Sequence, residues 1–201
     1  SSQRVLDIYS GKDPEKPSEI LNRLLQKQGQ NRHERVLIRD RNNKPVPRDD
    51  TRGFPIRWNE RAIIMEDETY QLAAMGKTSF DALSSLLASN DPWLQINAAF
   101  ALGEINESPK IIMSRLVELL GSMHQQVVRQ VLDTLAFKTT HLTEACYEAI
   151  KNVIRTENSD WLVPLVQRGW TAQDQIRLNA AFLLLNATNY PNRHPQLEEL
   201  L

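Results

Sequence analysis

Residues 91–105 read DPWLQINAAFALGEI, and residues 173–187 read QDQIRLNAAFLLLNA. Asn97, Ala98, Ala99, Phe100 and Leu102 recur in register, 82 residues on, as Asn179, Ala180, Ala181, Phe182 and Leu184. A degenerate relative lies between them. Thirty-three residues beyond Leu94, VVRQVLDTL starts at Val127 and matches LQINAAFAL in its apolar positions, with Val131 for Ala98, Leu132 for Ala99 and Leu135 for Leu102. The spacing is thus 33 and then 49 residues, not a strict period. Self-similarity of this kind means that one supersecondary unit is used more than once.

The segments around these stretches read as helices with regular punctuation. Asp91 is a good N-cap and Pro92 a good first helical residue, because Pro lacks an N–H that would be orphaned there anyway. Ser108-Pro109 repeats the device and opens PKIIMSRLVELL, with Gly121 placed to close it. Thr78 with Asp81, and Thr171 with Asp174, have the spacing of capping boxes. Further helices are expected near 124–138, 142–156 and 160–169, the last short or kinked by Pro164. No alternating strand pattern stands out from Trp58 onward. Helix pairs joined by short capped turns cannot bury their own apolar faces singly, so neighbours must stack. The expected fold is all-α: an α-solenoid of antiparallel helix pairs over 58–201, without a sheet.

This pattern resembles the HEAT-repeat family in its short bacterial, PBS-lyase-type form. That form has Asp-Pro in the turn, then an aliphatic residue and an Arg, then an Ala-rich run ending in Ala-Leu-Gly. Asp91, Pro92, Leu94, Ala98, Ala101, Leu102 and Gly103 supply it in the first copy, and Asp174, Ile176, Arg177, Ala180 and Leu184 in the third. Gln95 stands where the Arg is usual and Arg129 falls one place late, so the family's ladder of Asp and Arg is incomplete. The resemblance covers about 79–188. It implies that the second helix of each pair lines a concave surface. On that implication Trp93, Asn97 and Glu104 share a face, with Gln126, Gln130 and Phe137 equivalent in the middle copy and Gln175, Asn179 and Asn186 in the third. Two readings stand: the wet side of a structural layer, or a groove for a protein or peptide partner with Trp93 as its anchor. Ala98, Ala99, Ala180 and Ala181 are expected to let helices approach closely.

The totals fit this. Of 201 residues, 41% are hydrophobic and 24% charged, ordinary for a soluble domain. No apolar run approaches the ~20 residues needed to span a bilayer, and no signal-peptide pattern opens the chain. The one cysteine, Cys146, sits on an apolar helical face and reads as packed, in keeping with a reducing, cytoplasmic setting. The net charge of −1 hides a split: residues 1–57 carry 13 Lys/Arg against 8 Asp/Glu (+5), residues 58–201 carry 11 against 17 (−6). Residues 1–57 therefore read as a basic, largely irregular lead-in with a short amphipathic helix at 18–28. RVLIRD reads as a brief strand. The Pro-rich stretch 44–58 is either a linker or an arm docked on the helices through Phe54, Ile56 and Trp58.

The seven glycines form no GxGxxG or GxxxxGK[ST] loop, and there is no HExxH or paired CxxC, so no nucleotide, metal or other cofactor is expected. Iron-dependent HEAT hydroxylases carry His-Glu pairs within successive repeats; here the one such pair, His33-Glu34, lies outside them. Consecutive Glu66, Asp67 and Glu68 point in different directions from a helix and read as a solvated acidic patch rather than a catalytic pair. HEAT-like DNA glycosylases need a basic groove, and a repeat region of −6 is poorly suited to phosphates. The expectation is a non-catalytic interaction or scaffold module. The alternative is an accessory or regulatory domain of a larger enzyme whose catalytic domain precedes Ser1.

Overall fold

Asp91 does cap its helix: the carboxylate accepts the Trp93 backbone N–H at 2.8 Å, with Pro92 as the first helical residue. Thr171 and Asp174 form a reciprocal capping box, Thr171 N–H donating to Asp174 Oδ2 at 2.8 Å and Asp174 N–H to Thr171 Oγ1 at 3.2 Å. The other expected box is absent. Residues Gly76–Ser79 instead form a 3-10 turn, Thr78 Oγ1 donates back to Met75 O at 2.9 Å, and the α-helix begins only at Phe80. Gly76, at φ +59°, holds the left-handed conformation that stops the preceding helix, where any other residue would be strained.

The computed structural model describes residues 15–29, 33–35, 61–63, 65–107, 109–165 and 169–187. Its α-helices are α1 (Pro17–Gln26), α2 (Asp67–Ala74), α3 (Phe80–Leu87), α4 (Pro92–Glu104), α5 (Lys110–Leu119), α6 (Gln125–Ala136), α7 (Glu144–Arg155) and α8 (Ala172–Asn186). A two-stranded antiparallel ribbon joins β1 (His33–Arg35) to β2 (Arg61–Ile63), His33 opposite Ile63 and Arg35 opposite Arg61. Among the described residues the regular structure is thus helical apart from this ribbon, which departs from the expectation of no sheet beyond residue 58. Three-residue strands are too short to show alternation. A second departure is the helix expected over 160–169. Among the described residues of that span only the 3-10 turn Ser159–Trp161 forms, and Pro164 bridges to Thr171 as an extended pair. Proline has no N–H for an interior helical bond. Trp161 locks that turn, fully buried, its Nε1–H donating to Ser122 O at 3.0 Å.

Contacts run in two rows. Helices α2, α4, α6 and α8 touch in succession; α3, α5 and α7 touch in succession beside them, with α1 reaching α3. Across the rows α1 pairs with α2, α3 with α4, α5 with α6 and α7 with α8. One apolar core threads the rows, from Ile20 and Leu24 of α1 through Leu83, Leu102, Leu116, Val131 and Ile150 to Leu184. Each such side chain contributes roughly 1.5–3 kcal/mol when fully buried. Cys146 is buried within it.

Close approach between α4 and α6 follows from small residues. Ala98 and Ala99 are fully buried, and Thr134 of α6 donates its hydroxyl to Ala99 O at 2.7 Å. Ala180 is equally buried, but Ala181 is only half-buried, and Leu178, Phe182 and Leu185 beside it on α8 are exposed. The second NAAF helix therefore packs on fewer sides than the first.

The short helix expected at 18–28 spans Pro17–Gln26 and lies on α2. Its cations meet the acids of the next segment. Lys27 Nζ reaches Glu68 at 2.6 Å and Glu66 at 3.0 Å, Arg23 lies 3.6 Å from Glu68, and Arg23 also donates to Gln71 at 2.8 Å. Consecutive Glu66, Asp67 and Glu68 are therefore not the solvated patch expected: Glu66 and Glu68 are buried against α1 by these ion pairs, and Asp67 alone faces out. The expected arm 44–58, with Phe54, Ile56 and Trp58, lies outside the described residues.

Candidate functional site

Between the C-terminal halves of α4 and α6 is an open groove of about 380 Å³, lined by Phe100, Gly103 and Glu104 from one helix and Gln130, Asp133, Thr134, Ala136 and Phe137 from the other or its cap. The spacings explain it. Phe100, Gly103 and Glu104 fall at i, i+3 and i+4, and Gln130, Asp133, Thr134 and Phe137 at i, i+3, i+4 and i+7, one face of each helix. Gly103 leaves the floor open: a Cβ there would sit 3.5 Å from Thr134 Oγ1. Phe137 is 77% exposed on the rim. Tyr70 of α2, 53% exposed, meets Phe100 edge to face with ring centroids 5.5 Å apart, so the aromatic surface continues onto the next helix of the row.

Glu104 and Asp133 are both exposed at this groove. Neither carboxylate forms a hydrogen bond or ion pair with another described residue, although the Arg129 charge acts on Asp133 from the preceding turn. Protein packed around Asp133 raises its pKa above the ordinary 3.8, and the Arg129 charge only partly offsets this.

The face expected from the sequence is divided by the structure. Glu104 and Gln130 line the groove. Trp93 and Asn97 do not reach it: they are 5% and 1% exposed and belong to the packed interior. Asn97 is inside because its polar atoms are satisfied there. Thr69 Oγ1 donates to Asn97 Oδ1 at 2.5 Å, Glu66 N–H reaches the same oxygen at 3.5 Å, and Asn97 Nδ2 donates to Trp93 O at 2.9 Å. Gln126 belongs to a separate depression of about 290 Å³ with Met123, His124, Gln125 and Asp160, at the α5–α6 turn. Gln175 and Asn179 are half-buried and bond each other at 2.8 Å, Gln175 also accepting from Trp170 Nε1–H at 3.3 Å; Asn186 is exposed at the end of α8. Phe100, Asp133 and Tyr70 were not singled out by the sequence. Their signal is the wheel position of Phe100, about 60° from Asn97.

Lys138, directly after Phe137, is 1% exposed and donates through Nζ to Ile105 O at the end of α4. Burial lowers its pKa below 10.5. A cation on the last carbonyls of a helix complements the helix dipole, which gives this lysine a structural task. Among the described residues no cluster of His, Cys, Asp and Glu is arranged to hold a metal ion, and no helix is long and apolar enough to cross a membrane. Compared with models of known protein families, with curated proteins and with solved structures, the chain matches none.

Proposed function

We propose that this protein is a non-catalytic interaction module, a HEAT-like stack of helix pairs that binds a protein or peptide partner along the row α2–α4–α6–α8. The observation that carries this reading is the groove itself: Phe137, Phe100 and Tyr70 form a stripe of aromatic surface across three helices of one row. Single exposed apolar residues need no explanation, but aromatic groups gathered in a concavity are the residue types that anchor interfaces. The contacts in two rows support a repeat stack, and such stacks present their surface as an extended face rather than a closed pocket.

The test is a photo-cross-linking amino acid placed at position 137 and, separately, at Glu118, which is exposed on α5 in the other row. In cells that make the protein, position 137 should capture one defined protein that position 118 does not. Equal capture from both positions, or none from 137, would overturn the reading.

A further inference from the structure

The groove between α4 and α6 carries one carboxylate from each helix, Glu104 and Asp133, and no lysine or arginine lines it among the described residues. Beside them stand Phe100 and the rim residue Phe137. We infer that this groove takes a basic, apolar peptide segment, in which Lys or Arg pairs with Glu104 and Asp133 while an adjacent aliphatic or aromatic side chain covers Phe137. The inference rests on the interaction reading above and names the chemistry of the partner.

Three features argue for that occupant. Both carboxylates lack a hydrogen-bonding or ion-pairing partner among the described residues, so an incoming cation breaks no such bond there and adds to the Arg129 charge that already acts on Asp133. Asp133 is already disfavoured as an anion by the protein around it, which an arriving cation relieves. The exposed Phe137 ring can accept an apolar side chain and, on its face, an ammonium or guanidinium group. An acidic segment or a phosphate-bearing chain would instead set like charge against two fixed carboxylates, a mismatch that costs affinity.

The experiment uses the full chain and a labelled synthetic peptide that interleaves Lys and Arg with Leu and Phe. A second peptide keeps the apolar residues and replaces each base by Glu. Anisotropy titration should show the basic peptide binding about tenfold or more tighter than the acidic one. Phe137→Ser should weaken it by about tenfold. The double variant Glu104→Lys/Asp133→Lys should reverse the order of the two peptides. All three positions are exposed, and helical content by circular dichroism confirms that each variant is folded. Equal binding of the two peptides, binding indifferent to these substitutions, or no binding at all overturns the inference. A partner cross-linked through position 137 by an acidic segment would overturn it too, while leaving the interaction reading intact.

Discussion

The two asparagines of the repeated NAAF have different fates. Asn97 is enclosed and holds Thr69 and the Glu66 backbone of α2, whereas Asn179 is half-buried and bonds Gln175 on its own helix. A polar residue on a recurring face looks like a surface signal in sequence, but a polar side chain with its bonds satisfied can lie in a core. Sequence therefore gave the face and misjudged its depth, and nothing in the letters distinguishes Asn97 from Asn179. Asn97→Ala should cost about 1–3 kcal/mol, because it strands a buried hydroxyl and an amide, while Asn179→Ala should cost well under 1 kcal/mol. Chemical denaturation of both variants checks this, and equal losses would show that the Asn97 bonds contribute nothing special. The alanines divide in the same way. Ala99→Leu should overpack the α4–α6 contact by about 1–3 kcal/mol, and Ala181→Leu, at a half-buried position, should shift the thermal midpoint far less.

At the scale of elements, helices were legible where a cap and an apolar period coincide. Asp91-Pro92 and Thr171/Asp174 open α4 and α8 where expected, and α6 and α7 fall inside the expected spans 124–138 and 142–156. One failure is local and one tertiary. Thr78 turns its hydroxyl back to Met75 O, the C-cap of α2, rather than to the N–H groups that open the next helix, and Trp161 is drawn inward beneath Ser122. The charge split had a local use that the totals could not locate: α1 docks on α2 through Lys27 and Arg23. Burial alone would raise the pKa of Glu68, but the hydrogen bonds from Lys27 and from its own backbone, with the Lys27 and Arg23 charges, outweigh this and hold it below 4.5. Lys27 is correspondingly raised above 10.5, chiefly by its hydrogen bond to Glu68. A carboxyl whose folded pKa is depressed adds stability above its unfolded value and loses it as pH falls through the folded one. Glu68→Gln should therefore cost about 1–2 kcal/mol at neutral pH, and the difference from the parent should shrink toward zero as pH drops below 4.5. A difference that stays constant down to strongly acidic pH would mean that the Glu68 charge does not hold α1.

Across the whole molecule, the repeated stretch foretold helices that touch in succession, while the groove was not legible in it, because its walls come from segments 33 residues apart. The row of contacts also sets an order of stability. Helix α4 is held by α2, α3 and α6, and α6 by α4, α5 and α8, so both lose packing on several sides when they open. At one end α1 buries only Ile20 and Leu24. At the other, α8 leaves Leu178, Phe182 and Leu185 exposed. In a chain whose units contact mainly their neighbours, opening is least costly at the ends and proceeds inward. Native-state hydrogen exchange should therefore rank α4 and α6 as the slowest helices, with amides of α1 and of the C-terminal half of α8 exchanging at least about tenfold faster. The same gradient should steepen for α1 alone in Glu68→Gln, since that change loosens one rung and leaves the α6–α8 contact untouched. Uniform exchange across all helices, rising together with denaturant, would show instead that the two rows open as one cooperative unit.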